Sequence, residues 1–264
     1  MKERAETTET RPPDPDAKEF VASLEKGLAV IEAFGPDQPR LTLADVAKRT
    51  GITRAAARRY LRTLAKLNYA EFDGRYFSLS PRILRLGYAY LSSSSLSERL
   101  QPALEKISRL TGESSSAAML DGDDIVYVAR SPTQRIMSVS LGIGTRLPAY
   151  CTSLGRAILA HQSAEAIDAY LKRVKLEPRT PRTVTRRQDL RDRLDDVRLR
   201  GCAVIDEELE LGLRSIALPL IEPNGSVRIA LNVSTQAARV SANDMESRFL
   251  PALREVAEGL RHIL

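Results

Sequence analysis

The sequence contains little cysteine and histidine, the residues that most often build disulfide frameworks and metal sites. Its 264 residues include two cysteines, Cys151 and Cys202, and two histidines, His161 and His262, well separated along the chain. The cysteines form neither a disulfide framework nor a metal-ligand spacing, and their apolar neighbours indicate small buried side chains. We therefore exclude a histidine-rich metal site and expect no metal and no cofactor.

Long apolar runs are also absent. No stretch approaches the roughly 18 consecutive apolar residues that suggest a membrane-spanning helix. Residues 1–19 are charged and contain Pro12, Pro13 and Pro15, without the apolar core of a secretory signal. We therefore expect this tail to be disordered, and the protein to be soluble, cytoplasmic and not membrane-bound.

The net charge of +6 is distributed unevenly along the chain. Residues 20–91 carry 12 Lys and Arg against 6 Asp and Glu, whereas residues 92–264 carry 24 against 22. An excess of positive charge confined to one segment favours a partner rich in phosphate. The length allows two domains, and 43% hydrophobic residues suffice for a core.

The basic segment contains the pattern of a helix-turn-helix at residues 42–67. Thr42, with Asp45 three positions later, predicts a capped helix start, and Gly51 predicts the end of that helix. Thr53 can cap a second helix at residues 54–67, which is basic on one side and apolar on the other. Two such helices joined by a tight turn are typical of a DNA-recognition unit.

A predicted β-hairpin follows. Two β-prone runs, residues 69–72 and 76–79, flank Asp73 and Gly74, which together are a strong turn signal. A hairpin in this place is the wing of a winged helix, and Arg75 lies beside its tip. The predicted DNA-binding residues are Thr42, Thr53, Arg54, Arg58, Arg59, Arg62 and Arg75.

A basic helix face can also be an ordinary solvated surface. Such a surface usually mixes both signs of charge, whereas residues 54–67 contain five cations and no carboxylate. We therefore predict binding to double-stranded DNA. RNA is the weaker alternative, because a helix fits the major groove of B-form DNA but not the deep, narrow groove of A-form RNA.

Two amphipathic helices are predicted on either side of this unit. The first, at residues 20–34, is expected to lie beneath the helix-turn-helix as a scaffold. The second begins at Pro81, and its apolar stripe can pack on its own domain or on the same helix of a second subunit, since dimers read paired half-sites. The stripe residues are Leu24, Leu28, Ile31 and Phe34 in the first helix, and Ile83, Leu84, Tyr88 and Leu91 in the second.

After four serines at residues 92–95 the pattern changes to mixed helices and strands, which predicts an α+β domain with an antiparallel sheet. Helices are predicted at residues 96–111, 153–161, 164–174 and 188–200, and a final helix is predicted to begin at a cap, Ser241 or Asn243, and to end at residue 263. Strands are predicted at residues 114–120, 124–129, 135–141, 203–206, 214–221 and 227–233, with a glycine-rich loop at residues 142–148. The expected domains are a tail (1–19), a winged helix-turn-helix (20–80), a linker helix (81–98) and an effector-binding domain (99–264).

Three stretches together resemble the IclR family of bacterial transcription regulators. They are the helix-turn-helix with its wing, GTRLPAYCTSLGRAILA at residues 144–160, and GCAVIDEELELGLRSIALPL at residues 201–220. The opening EFVASLEKGLAVIEAF and the run LEPRTPRTVT are similar to the branch that controls aromatic-acid catabolism, the β-ketoadipate pathway regulators. Tyr150 stands where the family commonly has a histidine.

The resemblance implies a homodimer, or a homotetramer built as a dimer of dimers, on palindromic operator DNA. It also implies a GAF-like C-terminal domain that binds a small carboxylic acid, an aromatic one in the branch named above. The effector would favour one arrangement of the dimer and so change the spacing of the recognition helices. Activation and repression both remain open.

The residues themselves indicate where an anion could bind. Thr152 or Ser153 can cap the helix predicted at residue 153, whose free N–H groups suit a carboxylate, and Gly142 and Gly144 would allow close approach to a ligand. The same hydroxyls can equally be ordinary caps, and the acidic residues 206–208 can be a solvated strand end. By family resemblance, the effector-binding residues are Leu147, Ser153, Leu154, Asp206, Ser215, Asn232 and Ser234.

Three alternative functions remain. An enzyme could use Cys151 or Ser153 as nucleophile with His161 as base, yet no G-x-S-x-G elbow, phosphate loop or metal motif accompanies them. The regulator could respond to a non-aromatic metabolite. A non-specific architectural DNA binder is the third alternative, and the large, nearly neutral second domain argues against it.

Overall fold

The computed structural model describes residues 19–35, 37–93, 96–133, 141–222 and 224–260. The chain divides into two compact units between Ser92 and Ser93, inside the segment predicted as a linker helix. Residues 1–18, residues 135–140 of a predicted strand, and the predicted helix end after Leu260 lie outside the described residues. The predicted limits of the functional domains stay a prediction, because the division into two compact units assigns no function to either unit.

The first unit combines helices with a small antiparallel sheet of strand order β1-β3-β2. Strands β2 and β3 are the predicted hairpin. Along the chain the elements are α1 (Ala22–Glu32), β1 (Arg40–Leu41), α2 (Leu43–Thr50), α3 (Arg54–Lys66), β2 (Ala70–Phe72), β3 (Phe77–Leu79), a 3₁₀ turn (Pro81–Ile83) and α4 (Leu84–Ser93), which crosses the division.

The apolar stripe predicted for α1 is only partly buried in this unit. Val30 is fully buried in the core, and Phe34 packs against that core. Leu24 and Leu28, in contrast, are 62% and 47% exposed. Helix α1 packs against α2 and α3 as predicted. Leu24 and Leu28 take no part in that core, because helical spacing identifies an apolar face but not the neighbour that covers it.

The second unit is built on a six-stranded antiparallel sheet of order β6-β5-β4-β9-β8-β7. This arrangement confirms the predicted α+β class. Its strands are β4 (Ser114–Asp121), β5 (Asp124–Ser131), β6 (Arg146–Pro148), β7 (Ala203–Asp206), β8 (Leu213–Ile221) and β9 (Val227–Gln236). Its helices are α5 (Leu96–Thr111), α6 (Ser153–Leu159), α7 (Ala164–Arg173), α8 (Arg187–Arg200) and α9 (Asp244–Leu260).

Helices cover both faces of this sheet. Helices α5 and α9 bury side chains such as Leu104 and Phe249 against one face, while α6, α7 and α8 pack against the other. Strands covered on both sides are apolar at consecutive positions, as in the buried pair Ile216 and Ala217 of β8. The edge strand β6 was missed, since its residues were predicted as part of a loop.

Helix α6 is held unusually close to the 3₁₀ turn that precedes it, Ala149–Cys151. A Cβ atom added at Gly155 would lie 2.2 Å from the carbonyl oxygen of Ala149. Only glycine permits this approach. The contact fixes the place of Cys151, Thr152 and Ser153, which begin α6.

Candidate DNA-binding face and effector pocket

Helix α3 separates its apolar and basic side chains. Ala57 and Leu61 are buried in the core, and the hydroxyl oxygen of Thr53 accepts the N–H of Ala56 at 3.2 Å, which caps the helix. The cations all face solvent: Arg54, Arg58, Arg59, Arg62 and Lys66 are exposed.

The start of α2 is a reciprocal capping box. The N–H of Thr42 donates to Asp45 Oδ2 at 2.9 Å, and the N–H of Asp45 donates to Thr42 Oγ1 at 3.3 Å. The Thr42 hydroxyl also donates to the carboxylate at 2.7 Å. These bonds lower the pKa of Asp45. Thr42 and Thr53 are thus helix caps, and their predicted contacts with DNA stay predictions.

The wing tip is ordered by the Asp73 carboxylate. Its Oδ1 atom accepts the N–H groups of Arg75, at 2.9 Å, and Tyr76, at 2.7 Å. Gly74 has a φ of +103°, which suits glycine. The Arg75 side chain is exposed, and its guanidinium carbon lies 5.1 Å from the Tyr76 ring centroid.

Two arginines bind the wing to the rest of the unit. Arg40 forms an ion pair with Asp73 and lies 5.2 Å from the Tyr76 ring centroid. Arg62 of α3 lies 5.6 Å from the ring centroid of Phe72. Arg40 was not predicted, because its position beside the wing depends on the pairing of β1 with β3.

The second unit contains a pocket between the sheet and the start of α6. Its cavity has a volume of about 30 Å³, and the empty space counted out to the open mouth is about 510 Å³. Five predicted effector residues line it: Ser153, Leu154, Ser215, Asn232 and Ser234. Sheet residues that were not predicted also line it, among them Ser114, Ser116, Tyr127 and Arg130.

Strand register explains why this part of the sheet is polar. In one row, Arg130 of β5 lies opposite Ser116 of β4, which in turn lies opposite Asn232 of β9. In the next row, Ser234 of β9 is opposite both Ser114 and Ser215. Residues paired across neighbouring strands on one face lie within contact range. Strands β4, β5, β8 and β9 therefore form a polar floor of the pocket.

Several polar atoms of this pocket are buried without a hydrogen-bond partner among the described residues. They are Arg130 Nε, Ser153 Oγ and Asn232 Oδ1. The other amide atom of Asn232, Nδ2, donates to Ser234 Oγ at 3.1 Å. An unpaired buried polar group is costly, so such groups facing one pocket indicate a polar ligand.

Charge in the pocket comes from Arg130. Removal from water lowers the pKa of its guanidinium, but an arginine stays protonated in proteins. Nearby, burial raises the pKa of Tyr127 to about 12, so this phenol is neutral and its ring forms an aromatic wall. A guanidinium is well suited to bind a carboxylate.

Two predicted effector residues do not line the pocket. Leu147 lies in β6 opposite Ile125 and packs against the core beneath α6. The Asp206 carboxylate accepts hydrogen bonds from Arg182, at 2.5 Å, and from Arg214. Its charge is therefore already balanced by two arginines, and the geometry lends the predicted contact no support.

Arg130 is the main residue that sequence reasoning missed. It follows the apolar run of β5, whose residues Val128 and Ala129 are buried. A single charged side chain in a strand covered on both faces needs a partner, and this signal was available in the sequence.

The anion site predicted at the start of α6 is weaker than expected. The helix has only seven residues, and Thr152 Oγ1 already accepts the N–H of Gly155 at 3.2 Å. A short helix with an occupied cap offers few free donors. The Arg130 guanidinium supplies the stronger positive charge.

The geometry of this site does not support the alternative that the protein is an enzyme. Cys151 is fully buried, which raises its pKa to about 11 and keeps the thiol protonated at neutral pH. His161 does not line this pocket, and its Nδ1 lies 2.9 Å from the carbonyl oxygen of Ala157. A nucleophile requires a base within hydrogen-bond reach, and neither Cys151 nor Ser153 has one among the described residues.

In the described parts of the chain, no helix is long and apolar enough to cross a membrane. The same residues contain no group of three or more His, Cys, Asp or Glu side chains placed to hold a metal ion.

Comparison with known proteins identifies both units. Residues 23–74 match the IclR helix-turn-helix domain, and residues 88–262 match the C-terminal domain of bacterial IclR regulators. The Pca regulon regulatory protein of Pseudomonas putida is 49% identical over 252 residues, which cover 95% of this chain and 86% of that protein. This similarity confirms the expected likeness to regulators of aromatic-acid catabolism.

Two solved structures extend the comparison. A putative transcriptional regulator from Rhodococcus sp. RHA1 is 49% identical, with a TM-score of 0.78 over 92% of this chain and 98% of that one. The inducer-binding domain of the Acinetobacter transcription factor PobR, a double mutant in complex with 3-hydroxybenzoic acid, is 32% identical. Its TM-score is 0.60 over 65% of this chain and 100% of that one. The chain belongs to the IclR family of bacterial transcriptional regulators, and it is a DNA-binding regulator with a helix-turn-helix unit and an α+β effector domain.

Proposed function

We propose that this regulator binds operator DNA through α3 and the wing, and that a hydroxylated aromatic acid in the second unit controls that binding. Arg54, Arg58 and Arg59 are the proposed major-groove and phosphate contacts, since they project from one exposed face of α3. Arg62 and Arg75 extend the same basic surface towards the wing. Thr42 and Thr53 contribute through the helix starts that they cap.

The observation that carries the effector proposal is Arg130, a cation in a pocket whose lining includes no carboxylate among the described residues, and whose Nε is buried without a hydrogen-bond partner among them. A ligand carboxylate would supply an anion through a charge-assisted hydrogen bond. Tyr127 and Leu154 provide an aromatic and apolar wall for a ring. Ser153 Oγ and Asn232 Oδ1 are free to bind a hydroxyl group elsewhere on the ligand.

The relatives support an aromatic acid. The PobR inducer-binding domain was solved with 3-hydroxybenzoic acid, a ring that carries one carboxylate and one hydroxyl. This is the same combination of groups that Arg130, Tyr127 and Asn232 would satisfy here.

Control of DNA binding requires that the effector distinguish two arrangements of the protein. We propose a homodimer or a dimer of dimers in the cytoplasm, in which the effector changes the spacing of two recognition helices. A coupling of roughly 1–3 kcal/mol would alter operator affinity about 5- to 150-fold.

The test is isothermal titration calorimetry on the full chain with 4-hydroxybenzoate, benzoate and adipate. We expect 4-hydroxybenzoate to bind most tightly, because benzoate lacks the hydroxyl and adipate lacks the ring. Arg130→Gln should weaken its binding by roughly 10- to 150-fold, the range set by one hydrogen bond to a charged group. Arg228→Gln, which removes an exposed arginine from the same sheet, is the matched control and should bind normally.

Equal affinity of wild type and Arg130→Gln would contradict the assignment of the carboxylate site. Tighter binding of adipate would instead favour a non-aromatic metabolite as effector.

A further inference from the structure

Arg156 and Glu208 form a buried ion pair next to the pocket. Arg156, on α6, is 2% exposed and Glu208 is 8% exposed. The pair is bidentate, with Nη1 donating to Oε1 at 2.8 Å and Nη2 to Oε2 at 2.5 Å. Arg156 Nε also donates to the Tyr150 carbonyl oxygen at 2.7 Å. All three bonds together fix one end of the pocket.

The turn that carries Glu208, residues 207–212, is held by further hydrogen bonds from residues 180–184. The Thr180 hydroxyl donates to the Glu207 carbonyl oxygen at 2.7 Å, and the Thr183 hydroxyl donates to the Glu208 carbonyl oxygen at 2.6 Å. The N–H of Val184 donates to Glu208 Oε2 at 3.1 Å. Glu207 has a φ of +59°, a conformation that a non-glycine residue rarely adopts without such support.

This turn is one wall of the effector pocket. Ile205, Leu209 and Leu213, which lie just before, within and just after it, line the pocket. The opposite wall is the start of α6, where Cys151 and Ser153 line the pocket. The ion pair therefore joins the two walls, although neither of its residues lines the pocket itself.

A buried ion pair is poor evidence for stabilisation, because the cost of removing both charges from water can exceed their attraction. Its directional bonds nonetheless set a geometry. We propose that Arg156 and Glu208 are positioning residues of the effector pocket, which hold the 207–212 turn against α6 without touching the effector. The choice of ligand in the second test below rests on the proposed function, whereas the first test does not depend on it.

The first test uses the chain's two cysteines and needs no ligand. Cys151 lines the pocket, whereas Cys202 is buried in the core on the other face of the sheet. In the Glu208→Gln variant, iodoacetamide at pH 8 should label Cys151, relative to Cys202, roughly tenfold faster or more than in wild type. A tenfold change corresponds to a decrease of about 1.4 kcal/mol in the free energy of exposing Cys151. Mass spectrometry of the full chain separates the two sites.

Thr183→Val is the second turn variant. It removes the hydroxyl that donates to the Glu208 carbonyl oxygen and accepts the N–H groups of Arg179 and Thr180, and it leaves both residues of the ion pair in place. It should accelerate Cys151 labelling in the same direction. Asp168→Asn is the matched control, since it breaks a more exposed ion pair with Arg191 in the same unit, and both labelling rates should stay at wild-type values. Unchanged Cys151 labelling in both turn variants, or equal acceleration at both cysteines, would overturn the proposal.

The second test separates positioning from stability. Replacing a buried ion pair with apolar residues is often neutral or stabilising, so Arg156→Met combined with Glu208→Leu should largely keep the melting temperature. If the pair positions the turn, this double variant should still bind 4-hydroxybenzoate roughly tenfold more weakly than wild type. Wild-type affinity in the double variant would overturn the proposal. Wild-type protein that binds no 4-hydroxybenzoate would contradict the proposed function, while the labelling experiment would still decide the role of the pair.

Discussion

The exposed arginines of α3 differ in what their side chains contact. Arg54, Arg58 and Arg59 have no side-chain partner among the described residues and are exposed. Arg62 instead lies over the Phe72 ring, which itself stacks on Phe77 with centroids 4.4 Å apart. Arg62 can therefore position the wing as well as contact DNA.

This difference leads to a prediction for Arg58. Arg58→Ala should weaken operator binding and, if the contact is to phosphate, reduce the salt dependence of the logarithm of affinity by about one unit. The melting temperature should not change, because the side chain is exposed and no hydrogen bond or ion pair holds it among the described residues. Fluorescence anisotropy at several salt concentrations measures the operator affinity and its salt dependence.

Lys172→Ala is the matched charge control, since Lys172 is an exposed cation in the second unit. Its salt dependence should equal that of wild type. An Arg58→Ala protein with unchanged affinity would mean that α3 does not meet the DNA through this face.

At the scale of one element, α6 shows how a glycine positions a binding pocket. Helix α6 is buried along its whole length, and its approach to the 149–151 turn leaves no room for a side chain at Gly155. Gly155→Ala should destabilise the second unit by about 3 kcal/mol or more, the cost of a clash that backbone atoms must relieve. Thermal unfolding followed by circular dichroism measures it.

Gly259→Ala is the control for the same chemical change. Gly259 lies in α9 with nothing within 4 Å of an added Cβ. That substitution should be neutral or stabilising, by up to about 1 kcal/mol, because alanine favours the helix. Equal melting temperatures for the two variants would show that the α6 contact relaxes easily.

The whole molecule has apolar surface that its described residues leave uncovered. In the first unit, Leu84 and Tyr88 of α4 are 70% and 69% exposed, and Phe20 and Leu24 near α1 are each 62% exposed. Clustered exposed apolar side chains mark interaction sites. We propose a second copy of the chain as the partner, since dimers read paired half-sites.

We therefore predict that Leu84→Glu combined with Tyr88→Glu converts the oligomer towards monomer in analytical ultracentrifugation. Operator affinity should fall at the same time, because the two recognition helices are no longer linked. Leu199→Glu, at an 88% exposed position on α8, is the control and should leave the sedimentation coefficient unchanged. A double variant that sediments like wild type would place the subunit interface elsewhere.

The sequence alone determined the features that depend on neighbours within a few residues. The capping box of Thr42 and Asp45, the end of α2 at Gly51 and the wing turn at Asp73 follow from local hydrogen bonding and backbone preference, and all are found as predicted. The two faces of α3 follow from helical periodicity. Family membership was equally readable, because its motifs are contiguous.

The family resemblance predicted five of the pocket residues, but only the tertiary structure showed that Arg130 and Ser116 share the pocket with them. Arg130, Ser116 and Asn232 lie on three strands, and the sheet register alone brings them into one row. Asp206 was predicted to contact the effector, but in the fold Arg182 and Arg214 bind its carboxylate. Strand order and packing are set by many weak contacts between remote segments, so no local pattern in the chain records them.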